Sequence, residues 1–265
     1  MTIERILLTG AAGTIGTLLR PIIGELGLKV RLSDMVEPEG LRADEEFVQC
    51  DLRDREAVFS LVEGCQAILH FGGISTENNA DLIHDVNIDG TYSLYEAARK
   101  FGVKRILFPS SNHVIGFHKR ETKLDADSVL RPDSIYGVSK AYGEALARLY
   151  WDKFGIETAI VRIGSCFPAP KDRRMMATWM SDRDMLRLVD RIIKAPRMGC
   201  PVIYGVSDNP ECWWDNSKVD YLGWRPQDSS AQFEGMFDDL PPEDPNDPKV
   251  IYQGGGFAAA GHFDD

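Results

Sequence analysis

The stretch RILLTGAAGTIG, residues 5–16, constrains this chain more than any other. RILLTG (5–10) reads as a buried strand ending in glycine, and residues 14–26 read as a helix. Glycines 10, 13 and 16 therefore fall where a strand turns into a helix. Gly10 would allow the tight turn, Gly13 the close approach of a pyrophosphate to the backbone, and Gly16 the contact of helix with strand. The helix start adds unpaired N–H groups and the positive end of its dipole. Ala12, Thr14 and Ile15, with the three glycines, are thus expected around a dinucleotide.

The rhythm that follows is strand, helix, strand. KVRLSD (29–34), FVQCDL (47–52), QAILHFGG (66–73), RILFPSS (105–111) and TAIVRIG (158–164) read as strands. Helices are expected at 54–63, 80–101 and 134–154, the second with Leu82, Val86, Tyr92, Leu94, Tyr95 and Ala98 as an inner face. Near-continuous apolar strands separated by helices predict a parallel sheet covered on both faces, a Rossmann-type doubly wound α/β fold. After about residue 165 the rhythm breaks. The loop FPAPKDRR (167–174) leads to a helix near 182–194, then PVIYGV (201–206), WWDN (213–216) and an irregular tail. The tail stretches PPEDPNDP (241–248) and GGGFAAAG (254–261) read as surface loop or mobile end. The expected division is a dinucleotide-binding domain with the catalytic residues at 1–165. A small substrate-binding region, 166–265, would pack on the same domain.

Composition narrows the class. With 43% hydrophobic and 27% charged residues the chain is an ordinary soluble one. No run approaches the roughly 18 apolar residues of a membrane span, and the N-terminus lacks the pattern of a signal peptide. Five cysteines, odd in number and never spaced CxxC, fit reduced thiols in a cytoplasm. Five histidines without ligand spacing argue against a metal. A net charge of −11 with no basic stripe argues against nucleic acid. An anionic ligand would have to be held by local donors: helix N-termini, loop amides, a few placed arginines.

Asp34 ends the second strand, 18 residues after Gly16. A carboxylate there can accept from both adenosine ribose hydroxyls and would repel a 2′-phosphate, so the expected cofactor is NAD. Asp51 could accept the adenine amino group, and Leu52 could pack on the ring. Further on, YGVSK places Tyr136 and Lys140 one helical turn apart on one face. A free phenol has a pKa of about 10. One ammonium about 4 Å away contributes roughly 4 kcal/mol at an effective dielectric of about 20. That is about 3 pKa units, enough to make Tyr136 a base near neutrality.

In order and spacing, TGAAGTIG, the strand-end Asp34, Asp51-Leu52, HFGG (70–73), SSNHVIG (110–116) and YGVSK resemble the extended short-chain dehydrogenases/reductases. Within that family GGIS (72–75), SSNHVIGF, YGVSK, RIGSC (162–166) and WWDNS (213–217) resemble the uronate dehydrogenases. The resemblance implies NAD-dependent oxidation of galacturonate or glucuronate at C1 to an aldaric acid lactone. It implies Tyr136, Lys140 and Ser111 as catalytic residues, and Gly72 beside the cofactor with Tyr136 and Lys140. Ser75, Ser111, Asn112, His113, Tyr136, Ser165 and Arg174 would meet the sugar. Arg173 competes with Arg174 for the carboxylate. Asn87 is expected either in a proton relay or in a helix–helix hydrogen bond, and Ser110 to face the sheet. A homo-oligomer is implied. Two other readings stand beside this one. A nucleotide-sugar epimerase or dehydratase would carry a larger C-terminal part, and a dehydratase an acid where Asn112 stands. A non-catalytic NAD-binding regulator would often lack Tyr136 or Lys140.

Overall fold

A computed structural model describes residues 3–263. Seven parallel strands form its sheet: β1 (Arg5–Thr9), β2 (Lys29–Ser33), β3 (Glu45–Phe47), β4 (Ala67–His70), β5 (Arg105–Ser111), β6 (Glu157–Ile163) and, after two short strands considered below, β9 (Val202–Gly205). Their spatial order is β3-β2-β1-β4-β5-β6-β9, so the winding reverses between β1 and β4. That switch point is where doubly wound sheets bind ligands.

Alternate strand residues feed two cores, because successive side chains leave a strand on opposite faces. Ile6 and Leu8 of β1 join Leu19 and Ile23 of helix α1 (Thr14–Glu25) and Met185, Leu188 and Ile192 of a later helix, α7 (Asp182–Lys194). Leu7 points the other way, to Val58 and Leu61 of α2 (Arg55–Val62) and to a second helical layer. In that layer the expected long helix is three pieces. A short α3 (Ala80–Ile83) and α4 (Gly90–Phe101) flank a π-helical segment, His84–Asp89. Leu94, Tyr95 and Ala98 are buried as expected, but Tyr92 is 39% exposed and turns away from the core. The other wall of this layer is α5 (Ile135–Phe154). Ser134 caps α5 by accepting from Gly137 N, and Gly155 ends it in the left-handed conformation, φ 66°. Among the described residues no helix is long and apolar enough to cross a membrane.

The third strand lies earlier than FVQCDL (47–52) predicts, at Glu45–Phe47, and shares only Phe47 with it. The ladder bond from Val48 N to Leu32 O persists at 2.9 Å, and Cys50 N still reaches Asp34 O at 3.3 Å. The chain then curls at Asp51, whose Oδ1 accepts from Arg53 N. A division at residue 165 runs through the sheet rather than beside it, since β9 pairs with β6 and α7 covers the face shared with α1. The rest of the C-terminal part is local structure: β7 (Ser165–Cys166) pairs with β8 (Trp179–Met180), joined through α6 (Met175–Thr178). WWDN anchors the free edge of β9. Asn216 replaces a neighbouring strand by exchanging two 2.8 Å bonds with the Tyr204 backbone, and Trp214 stacks on the Tyr204 ring. The tail ends in α8 (Pro248–Ile251) and α9 (Gly256–Ala259).

Candidate active site

One cleft of about 1210 Å³ lies over the C-terminal ends of β1, β2, β4, β5 and β6, and each predicted site residue lines it. At one end the wall is mostly backbone. Gly10, at φ 69°, lies so close to the turn after β4 that a Cβ would sit 2.5 Å from Phe71 C and O. A Cβ on Gly16 would sit 2.1 Å from Gly10 O, so this glycine is the helix–strand contact. Gly13 differs. It is exposed at the N-cap of α1, and nearest to a Cβ there is Gly10 O at 3.2 Å. No side chain caps this helix start. The N–H groups of its first turn therefore lack helical partners, and the missing Cβ leaves them open to an anion. Asp34 is fixed by Ala12 N (2.9 Å) and Met35 N (2.7 Å) at the end of β2. Asp51 is already gripped by Arg53, which holds its carboxyl below the usual range. Gly72 donates to Thr9 Oγ1 at 2.9 Å, and Thr9 in turn meets His70 Nδ1. Burial pushes His70 down to about 3, so it stays neutral and braces the turn. Open helix amides for phosphates and a strand-end acid for ribose hydroxyls fit NAD.

At the middle of the cleft stand Tyr136, Ser111 and Lys140. Ser111 ends β5 and Tyr136 opens α5, and the serine hydroxyl faces the phenol across the cleft. Ser111 Oγ also accepts from His113 N at 3.2 Å, starting the 3-10 turn Asn112–Ile115. Ser110 is turned away, donating to Glu144 Oε1 at 2.6 Å in a buried cluster with Arg162. The protonation order expected from the sequence needs correction. Burial raises Tyr136 to about 12, Asp133 adds to the rise, and only the Ser111 hydroxyl opposes it. Burial lowers Lys140 to about 8. The ammonium sits 5.7 Å from the centroid of the Tyr136 ring and 5.3 Å from that of Phe108. Without a cofactor, then, the lysine gives up its proton before the tyrosine does, because both groups are desolvated.

Beyond the tyrosine the wall is made of side chains. Arg174 is buried, and burial pushes it down to about 10, still charged at neutral pH. Its Nε donates to Gln253 O at 2.6 Å. Asn112, with its amide nitrogen toward Ile163 O (3.1 Å), accepts from Arg174 Nη2 at 2.6 Å. Among the described residues no carboxylate lies within ion-pair distance of Arg174. Arg173, by contrast, is consumed by the carbonyls of Phe237, Leu240 and Pro241. His113 is held through Nδ1 by Asp133 Oδ2 at 2.9 Å. Ser165 shares a 2.9 Å bond with Thr178, and Ser75 lies on the exposed loop after β4. Asn87 donates to Ile74 O (2.9 Å) and Ser139 Oγ (3.1 Å) and accepts from Ile74 N, a tie between that loop and α5. The π-helical segment turns this side chain inward.

Four residues at the site are not legible in the sequence. Glu77 accepts from the backbone N–H groups of Ile135 (3.0 Å) and Tyr136 (2.8 Å), and Asp133 fixes His113. No motif points to either. Gln253 and Phe257 come from the tail, which is not a mobile end: Gly254, Gly256 and Phe257 line the cleft. The signal is present in GGG, since glycine runs also mark places where backbone must come close to something.

The description "NAD dependent epimerase/dehydratase family" fits residues 6–189. A uronate dehydrogenase of Pseudomonas syringae is 51% identical over 99% of this chain and 96% of its own. The crystal structure of glucuronic acid dehydrogenase from Chromohalobacter salexigens superposes with TM-score 0.96 at 54% identity, covering 100% of both chains. That of an alanine mutant of uronate dehydrogenase from Agrobacterium tumefaciens, complexed with NAD, gives TM-score 0.94 at 46% identity over 98% of both.

Proposed function

The chain belongs to the NAD dependent epimerase/dehydratase family, and from that premise we propose that it oxidises free hexuronic acids, galacturonate and glucuronate, at C1 to aldaric acid lactones. The observation that carries the substrate class is Arg174. A buried guanidinium without a counter-ion is costly, and one that opens on the cleft beside Tyr136 and Ser111 calls for a carboxylate on the ligand. Its Nε and one Nη2 hydrogen are held by Gln253 and Asn112, which leaves the Nη1 edge for a fork-like bond to a carboxylate.

In this reading the first turn of α1 holds the diphosphate, Asp34 the ribose hydroxyls, and Asp51, Leu52 and Gly72 the flanks of the dinucleotide. Bound NAD⁺ supplies the hydride acceptor and a positive charge that opposes the burial of the phenol. Tyr136, as phenolate, would take the proton of the C1 hydroxyl at Oη as the C1 hydride leaves to the nicotinamide, and Ser111 would hold the same oxygen. Lys140 lies behind the phenol and gains most from keeping its proton when Tyr136 gives up its own. Ser75, Asn112, His113 and Ser165 orient the ring, which stays closed, so the product is a lactone. Five free cysteines support a cytoplasmic location. The apolar residues Val138, Leu149 and Phe154, exposed on α5, support a homo-oligomer.

A panel of free uronic acids, neutral aldoses and nucleotide sugars with NAD⁺, followed at the NADH absorbance band, tests the reading. Reduction is expected with galacturonate and glucuronate. Turnover confined to nucleotide sugars, or none with any sugar, refutes it.

A further inference from the structure

The segment Gln-Gly-Gly-Gly-Phe (253–257) comes from the far end of the chain, and yet its Gly254, Gly256 and Phe257 wall the sugar end of the cleft. Gln253 is fully buried, and its amide is used on both sides. Oε1 accepts from Trp214 Nε1 at 2.9 Å, while Nε2 donates to the carbonyls of Lys119 (3.1 Å) and Thr122 (2.9 Å). Its backbone N donates to His118 O, and Gly254 N to Gly116 O. A Cβ at 254 would lie 1.8 Å from Asp133 Oδ2. At Gly255, where φ is 62°, a Cβ would lie 2.6 Å from Arg174 Cδ. The segment is therefore pressed against both the acid that holds His113 and the arginine of the sugar half. Phe257 then lies flat on His113, with ring centroids 3.8 Å apart and planes at 26°. The imidazole is held by Asp133 at Nδ1, by Phe257 on one face and by the Tyr136 ring 5.9 Å away. Nε2 is the nitrogen left for a ligand.

We infer that Phe257 is a positioning residue of the sugar half. It clamps the His113 ring so that Nε2 meets a substrate hydroxyl, and Gln253 anchors the segment that carries it. The inference rests on the proposed uronate oxidation, but one arm of its test does not. Phe257→Leu keeps apolar volume and loses the stacked ring; Phe257→Tyr keeps the ring. For F257L the KM for galacturonate and glucuronate is expected to rise tenfold or more. Its kcat should change less than threefold and its KM for NAD⁺ less than twofold. F257Y should restore the sugar KM to within twofold of wild type. Without any sugar, the ¹⁵N-labelled ring of His113 is expected to show one Nδ1-protonated tautomer in the wild type and a tautomer mixture in F257L. A chain ending at Gly256 removes the same ring by another route and should match F257L in both measurements. Wild-type sugar KM values in F257L, or an unchanged His113 spectrum, overturn the inference. If the wild type oxidises no hexuronate, the functional reading falls, and the ring spectrum still decides the role of Phe257.

Discussion

In the half of the cleft proposed for the dinucleotide, the ligand-facing groups come mainly from one stretch of main chain, 10–16, with Asp34 and Asp51-Leu52 close behind it. In the half beyond Tyr136 they are mainly side chains, from residues 75, 111–113, 165, 174 and 257, gathered from segments spread over most of the chain. The first half needs a helix start left uncapped and glycines that let backbone approach backbone. The second needs each polar group held by another: Arg174 by Gln253 and Asn112, His113 by Asp133 and Phe257, Ser165 by Thr178. Backbone recognition is made by the fold itself. Side-chain recognition must be braced by further side chains.

The seam between the halves is where the largest effects are expected. Tyr136→Phe removes the proposed base while keeping its ring, so kcat should fall by about 10²–10⁴-fold. Binding of NAD⁺, measured by calorimetry, should stay near the wild-type value. A mutant with near-native kcat would take the chemistry away from Tyr136. The lysine behind it predicts a gain in stability. Its pKa lies at about 8 in the fold against 10.5 for the free group. Below about pH 8 the fold resists a proton that the unfolded chain holds. That cost fades as the pH rises through the interval between those values. Lys140→Met should therefore stabilise the protein at pH 7 by up to about 3 kcal/mol, less whatever water in the cleft returns. The gain should shrink toward pH 10 as activity stays lost. Denaturant titrations at pH 7 and pH 10 check the sign.

Two substitutions placed on opposite sides of the seam sharpen the contrast. Arg174→Ala should raise the KM for hexuronates by about 10–100-fold, the worth of hydrogen bonds to a charged group, and leave the KM for NAD⁺ alone. Asp34→Ala should do the reverse, by about tenfold. If either variant moves both constants equally, the cleft is one coupled site and the division into halves is wrong.

The same contrast decides which parts of the site are legible in the sequence. A strand, three spaced glycines and a helix sit side by side along the chain, so TGAAGTIG and Asp34 declare the switch-point cleft whatever the packing around them. Tyr136 and Lys140 are legible for the same reason, being one helical turn apart. Arg173 and Arg174 look alike in sequence, because what separates them is the partner each finds: the carbonyls of 237–241 for one, Gln253 and Asn112 for the other. The tail misleads because a glycine run has the same composition whether it is loose or squeezed against Asp133 and Arg174. The protonation order is illegible because desolvation depends on the depth of the cleft, which spacing does not encode.

The smallest predicted effect belongs to a residue that serves both halves. Glu77 closes the loop that carries Ser75 and Gly72, and its two carboxylate oxygens take the first N–H groups of α5, those of Ile135 and Tyr136. An anion at a helix start is stabilising, but here it also fixes the turn from which the phenol projects. Glu77→Gln removes the charge and leaves one oxygen for two donors. It should cost about 0.5–1 kcal/mol of stability, read as a fall of about 1–4 °C in Tm. If the carboxylate positions Tyr136, kcat should fall severalfold with both KM values nearly constant, because each half keeps its own contacts while the group between them is misplaced. A lowered Tm with wild-type kcat would make Glu77 a cap and nothing more, and the seam would then owe its geometry to Asn87 and Ser134 alone.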